Sequence, residues 1–173
     1  MERETSSLLI KANRVLGMRL VEAGLTTGED MEEANALFIE RARAKDLTRA
    51  SLLRILLFEK AVLKESALID YQLENFAVGA VRPDNFRVDP SLMKQTPLEL
   101  LRASWSFPLD LCEGQWFMAG AYYMSDVVRT FWEERLGAKI NWYVSPMEAL
   151  EAAFSMVEEE RLGRAAQNSR EGD

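Results

Sequence analysis

The chain has 173 residues, of which 48% are hydrophobic, and its 21 basic and 28 acidic side chains give a net charge of −7. This size allows one good hydrophobic core, or two small subdomains that share an interface. The acidic balance disfavours an extended nucleic-acid surface or a polybasic membrane anchor, since both need clustered Lys and Arg, but it is compatible with a local basic pocket.

The first quarter of the chain is predicted to form two helices. Apolar residues at spacings of three and four from Leu8 to Leu20 predict a helix that Ser7 caps and that ends near Gly24. Thr26, with Glu29 three residues later, has the pattern of a capping box and predicts the start of the second helix.

Further helices and a turn are predicted up to the middle of the chain. A third helix is expected to open at Thr48, and a fourth runs from near Lys64 to Phe76. The segment Arg82-Pro83-Asp84-Asn85 is typical of a turn. Two short helices, around 90–94 and 97–103, each begin with a proline preceded by a capping residue.

The last third alternates between strand and helix patterns. Segments 104–111 and 115–122 predict a β-hairpin that turns at Glu113-Gly114, with Pro108 at an edge or a bulge. A helix from Ser125 to Gly137 follows, then a third strand over 139–144, and then a final helix that Ser145 caps.

These elements predict an α+β fold, with an N-terminal helical subdomain followed by a small three-stranded sheet flanked by helices. The predicted boundaries are 1–80 for the helical subdomain, 81–162 for the α/β subdomain, and 163–173 for a polar tail that is expected to fray.

Several kinds of catalytic site are missing from the sequence. It contains no histidine, which excludes Ser-His-Asp and Cys-His mechanisms and the usual zinc sites. No lysine is followed by Ser or Thr, as a phosphate-binding loop requires. The single cysteine, Cys112, is expected to be a small buried strand residue. It allows no intramolecular disulfide, which fits the cytoplasm. We therefore expect no enzyme activity, no metal and no membrane insertion.

Two charged clusters allow other interpretations. Glu29 and Asp30 begin a carboxylate cluster that would serve acid–base catalysis if it lined a concave pocket, although a solvated helix start explains it more simply. Arg41, Arg43 and Lys45 form a basic cluster that is either an anion or acidic-partner site or ordinary surface charge.

One motif resembles a known family. The pattern Leu16-Gly17-x-x-Leu20-Val21-x-x-Gly24-Leu25, followed by Glu32-Glu33-Ala34, is similar to the N-terminal domain of type II secretion and type IV pilus assembly ATPases. Family members have Arg-Leu-Gly-x-x-Leu-Val-x-x-Gly-x-Leu and then a helix, and this unit is often repeated once. The order of elements in the second half, with Val88-Asp89-Pro90 and the Phe107-Pro108-Leu109 strand, extends the resemblance over residues 12–157.

The resemblance implies two functions. Such domains dock the ATPase onto a cytoplasmic platform protein, and some bind cyclic di-GMP through two copies of the motif, whose leucines line the site while the arginine and backbone meet the ligand. Carried over to this chain, the ligand-binding positions are Leu16, Gly17, Leu20, Val21 and Gly24. The possible anion contacts are Arg14, Arg41, Arg43 and Arg54.

The chain departs from the ligand-binding form of the motif. Val15 occupies the first arginine position, and the second copy has Ser51 for arginine and Leu53 for glycine. The leading hypothesis is therefore a docking or regulatory domain with a protein partner, either a platform component or an ATPase. The alternative is a cyclic di-GMP sensor with degenerate motifs. The family's ATPase domain would follow residue 173, so the chain is expected to be either part of such a protein or a stand-alone relative.

Overall fold

The computed structural model describes residues 2–44, 49–87 and 89–170. Three positions named above lie outside these ranges. They are Thr48, where the third helix was predicted to start, Lys45 of the basic cluster, and Val88 of the family resemblance.

The first half is helical, as predicted. Its elements are α1 (Glu2–Glu22), α2 (Gly28–Arg43), α3 (Leu52–Arg54) with a π-helical turn at Ile55–Glu59, and α4 (Glu65–Asn75). The predicted cap at Ser7 is wrong, because α1 begins five residues earlier. Thr5 is only 4% exposed, so the buried face of α1 begins on the N-terminal side of Ser7.

The start of α2 differs from the prediction by one residue. Thr27 is the cap, and its hydroxyl accepts a hydrogen bond from the Asp30 amide at 3.1 Å. Thr26, the predicted cap, is buried. Its hydroxyl finds no hydrogen-bond partner among the described residues. The exposed threonine therefore satisfies the helix start, while the buried one faces the core.

The second half builds a mixed sheet with helices around it. The elements are β1 (Gly79–Ala80), a 3₁₀ turn (Pro83–Asn85), α5 (Leu92–Gln95), α6 (Leu98–Ser104), β2 (Ser106–Cys112), β3 (Gln115–Gly120), α7 (Asp126–Leu136), β4 (Ile140–Val144) and α8 (Met147–Arg170). The strand order is β1-β4-β3-β2. β4 runs parallel to both of its neighbours, and β2 pairs antiparallel with β3. The α+β class is confirmed, and the two-residue β1 is a fourth strand that the sequence did not predict.

The β2–β3 hairpin agrees with its sequence signals. Glu113 and Gly114 have φ values of 51° and 79°, as a two-residue turn of this kind requires. The register shifts between Pro108 and Asp110 on β2, which is an edge strand. Cys112 is exposed, so its predicted burial is wrong: it is the last residue of β2, beside the solvent-exposed turn.

One hydrophobic cluster extends through both halves of the chain. It joins Leu16 and Leu56 of the helical half to Trp105, Trp132 and Phe154 of the second half, and α1 packs against α6 and α7. The division at residues 80/81 stays a prediction, but the two sides share a core. Helix α8 continues to Arg170, so the predicted tail boundary at 162/163 falls inside a helix.

Candidate functional site

The motif residues of α1 do not share one surface. Leu16 and Leu20 are fully buried on the core side of the helix, whereas Val21 is 37% exposed. Gly24 lies just after the helix with a φ of 69°, and the Leu25 amide donates to the Leu20 carbonyl at 3.0 Å. The motif therefore combines core leucines with a left-handed helix stop, which favours glycine.

Gly17 lets three helices approach closely. A Cβ atom added here would lie 2.9 Å from Leu52 Cδ2 and 2.9 Å from Met31 Sδ, closer than packed side chains allow. Since Leu52 opens α3 and Met31 belongs to α2, these two side chains cover the backbone that a ligand would have to approach.

The second copy of the motif is buried as well. Ser51 and Leu53, which stand at the arginine and first glycine positions, are each 1% exposed. The Ser51 hydroxyl caps α3 by accepting from the Arg54 amide at 3.2 Å, and it lies 2.8 Å from the Tyr122 hydroxyl. A guanidinium at position 51 would therefore lie in the interior.

A buried polar network connects these positions to the segment that follows β3. Asn13 Oδ1 accepts from the Leu52 amide at 2.8 Å and from the Tyr122 hydroxyl at 2.6 Å, while Asn13 Nδ2 donates to the Leu9 carbonyl. Burial raises the pKa of Tyr122 above its ordinary value, so the phenol stays a donor. This network was not predicted from the sequence, although an asparagine on the apolar face of α1 is a signal for it.

Part of the predicted basic cluster holds a carboxylate of the chain itself. Arg41 makes two hydrogen bonds to Glu59, at 2.6 and 2.5 Å. The pKa of Glu59 is held below its usual value by Arg41 and, more weakly, by Arg54 and Arg49. Arg54 also pairs with Glu151 at 3.0 Å.

The other two predicted anion contacts lie apart from this cluster. Arg14 and Arg43 are exposed on α1 and α2. Two of the four arginines, Arg41 and Arg54, are therefore paired with carboxylates near Glu59. The other two, Arg14 and Arg43, are open to solvent, and the four do not surround one site.

A cavity of about 310 Å³ opens beside the motif, between α1, α4 and α7. It is lined by Arg19, Glu22, Ala23, Tyr71, Phe76, Met124, Asp126 and Arg129. Arg19 pairs with Glu22 at 3.0 Å and lies 3.8 Å from Asp126. Arg129 donates to the Tyr123 carbonyl at 2.7 Å and stacks on the Tyr123 ring. We call it the seam cavity; it combines arginines with aromatic rings, but its cations already have partners.

A second concave surface lies between residues 86–87 and 90–94 on one side and α8 on the other, and we call it the α5–α8 groove. Its volume is about 230 Å³, and it is lined by Phe86, Arg87, Pro90, Met93, Lys94, Phe107, Ala153, Met156, Val157, Glu160 and Arg161. No motif pointed to it, because its walls are some 70 residues apart in sequence and only the fold brings them together.

The carboxylate hypothesis gains no support from geometry. Glu29 is exposed at the start of α2, and Asp30 accepts a hydrogen bond from the Thr27 hydroxyl at 2.7 Å. Neither contributes to the seam cavity or to the α5–α8 groove. Within the described ranges, no group of three His, Cys, Asp or Glu side chains is arranged to hold a metal ion. None of the described helices has the length and apolar character needed to cross a membrane.

Comparisons with known proteins identify the fold. No family model matches the chain, and no curated protein gives a significant sequence match. Among solved structures, the chain is similar to one described as MshE with cdg, with a TM-score of 0.51 and 17% identity. The match covers 82% of this chain and 96% of that chain. At this identity the likeness shows a shared fold, which does not by itself carry function.

Proposed function

We propose that the chain is a non-catalytic, cytoplasmic docking or regulatory domain of the type that precedes the ATPase domain in pilus and secretion motors, and that it acts by binding another protein. The resemblance of the Leu16–Leu25 segment and the fold shared with MshE support this origin. The partner would be a platform component or an ATPase of such an assembly.

The observation that carries the proposal is what occupies the motif positions. The fold of the relative is kept, but Gly17 is covered by Leu52 and Met31. Ser51 and Leu53 are interior residues. A dianionic ligand needs cations and an open backbone, and these positions offer neither. A domain that retains the fold but lacks the groups that would contact the ligand is expected to act by binding a protein on its surface.

Cyclic di-GMP binding is the second candidate, and one observation favours it. The seam cavity adjoins the motif and contains Arg19 and Arg129 together with Tyr71 and Phe76, the residue types that hold phosphates and stack on bases. The similar structure was solved with cdg, which we take as cyclic di-GMP. Binding in the cavity would have to displace the pairing of Arg19 with Glu22 and Asp126.

Affinity capture tests the docking proposal. The tagged chain is expressed in cells that encode it, cross-linked, purified and analysed by mass spectrometry against a tag-only control. We expect enrichment of a pilus or secretion assembly component, and then direct binding of that component to the purified chain. If no assembly component is enriched and the purified chain turns over a substrate, the proposal is wrong.

Calorimetry separates the two candidates. The docking proposal expects no heat when cyclic di-GMP is titrated to tens of micromolar. If heat is seen, Arg129→Ala in the seam cavity should abolish it, while Arg14→Ala on the exposed face of α1 should not. That result would replace the docking proposal with the sensor.

A further inference from the structure

The α5–α8 groove has an apolar floor with open sides. Phe107 and Ala153 lie at its base, 1% and 2% exposed. Phe86 and Met156 line it while still 42% and 43% exposed. Large apolar side chains that stay half in water at the rim of a concavity mark a surface suited to a partner.

The rim of the groove is basic although the chain as a whole is acidic. Arg87, Lys94 and Arg161 line it, and Glu160 is the one carboxylate among its lining residues. Arg41, Arg54 and Arg102 elsewhere each pair with a glutamate. In the part of the chain that the structure describes, no such ion pair is formed by the three rim cations. A local positive rim on a chain with net charge −7 favours an acidic partner by charge complementarity.

The size of the groove favours side chains over a small molecule. Its volume of about 230 Å³ is below the roughly 300–1,000 Å³ of drug-sized ligand sites, but it is enough for one or two large apolar anchors. Met93 and Met156 adapt their shape to such anchors more readily than branched residues do.

One wall of the groove is itself a helix face. The groove residues of α8 lie three and four positions apart, so they form one stripe along that helix. They are Ala153, Met156, Val157, Glu160 and Arg161. A second helix laid alongside this stripe would place its apolar anchors in the groove and its flanks against the cations of the rim.

We infer that the α5–α8 groove docks an amphipathic helix of a protein partner, with Leu- or Phe-type anchors flanked by carboxylates. The inference rests on the proposed docking function and gives it a surface and a partner chemistry. An acidic membrane surface and a second copy of the chain are the other occupants that the experiment has to separate.

The experiment uses the full chain and synthetic peptides. The probe is a fluorescein-labelled helical peptide with Leu and Phe on one face and Glu on both flanks, and its partner probe carries Lys in place of each Glu. In fluorescence anisotropy we expect the acidic peptide to bind about tenfold more tightly than the basic one, with the difference shrinking as salt is added.

Substitutions locate the binding. Met156→Glu and Lys94→Glu are expected to weaken binding of the acidic peptide about fivefold or more, because each places a negative charge in or beside the groove. The matched control is Met18→Glu on α1, whose methionine is 50% exposed and is not one of the residues that line the groove; it should leave the affinity unchanged. Circular dichroism checks that all three variants fold.

Several outcomes would overturn the inference. Equal affinity for both peptides, or groove variants that bind like wild type, would remove the docking site. So would groove-dependent binding of phosphatidylglycerol vesicles without peptide binding, or groove-dependent dimerisation in analytical ultracentrifugation.

Affinity capture separates the groove from the proposed function. If it retains an assembly component with Met156→Glu as with wild type, the groove is wrong and the docking function stands. If the peptide binds the groove, but no assembly component is captured and the purified chain turns over a substrate, the groove stands and the proposed function fails.

Discussion

Asn13 forms buried hydrogen bonds with residues from both halves of the chain. Its amide oxygen receives two hydrogen bonds, from Leu52 at the start of α3 and from Tyr122 after β3. All of these atoms are buried, where an unpaired polar group costs far more than a paired one contributes. The network therefore specifies how α1, α3 and the sheet fit together.

Replacing Asn13 should destabilise the fold more than replacing its partner. Asn13→Ala leaves the Leu52 amide without its acceptor and leaves the Tyr122 hydroxyl only Ser51 Oγ to donate to, so we expect the free energy of unfolding to fall by about 2–4 kcal/mol. Tyr122→Phe leaves the Leu52–Asn13 bond in place but removes a partner of the buried Ser51 hydroxyl, so it should cost about 1–2 kcal/mol. Urea denaturation measures both. A loss for Asn13→Ala no larger than that for Tyr122→Phe would contradict the role of Asn13 as the shared acceptor.

Tyr122 also predicts how stability responds to alkaline pH. Because burial raises its pKa in the folded state, the unfolded state ionises first, from about pH 10 upward. Stability is unaffected below that pH and then falls as pH rises, with a limiting slope of about 1.4 kcal/mol per pH unit from this group. Tyr122→Phe should therefore lose stability less steeply than wild type when urea denaturation is followed from about pH 9 to about pH 11. Identical slopes would mean that Tyr122 ionises equally in both states.

At the scale of helices, Gly17 decides how closely α1 approaches α2 and α3. Gly17→Ala gains helix propensity but places Cβ 2.9 Å from both Leu52 and Met31, so a net loss of about 1 kcal/mol is expected. Gly163→Ala in α8 has nothing within 4 Å, and it should be neutral or slightly stabilising. Thermal unfolding of the two variants compares them. If Gly17→Ala were as stable as Gly163→Ala, the glycine would not be there for packing.

Elements with local signals were predicted from sequence, and elements made by tertiary contact were not. The hairpin carried its turn in Glu113-Gly114 and its bulge at Pro108, and both are found. β1 consists of Gly79 and Ala80, which have no strand preference and pair only because β4 lies beside them. The π-helical turn at Ile55–Glu59 has no sequence signal either, yet it places Glu59 against Arg41.

The same limit applies to the site at the scale of the molecule. The motif was visible because its residues are adjacent in sequence, but whether Gly17 is open or covered depends on Met31 and Leu52 from other helices. The α5–α8 groove joins Arg87 and Lys94 to Arg161, and no local pattern connects residues so far apart. Charge totals pointed only to the possibility of a basic pocket, since the net charge of −7 conceals where the cations lie.

The shared core predicts that the chain folds as one unit. Residues 1–80 alone would expose the side of α1 that packs on α6 and α7 and would leave Asn13 without Tyr122. Residues 81–173 would likewise expose Tyr122 and Trp132, both fully buried in the whole chain. We therefore expect each half, expressed separately, to give the narrow amide proton dispersion of an unfolded chain in NMR spectra, and the two halves mixed to recover dispersed signals. If residues 1–80 alone gave a dispersed spectrum and a cooperative thermal transition, the predicted boundary would separate two independent domains, and the Asn13 network would be an interface between domains.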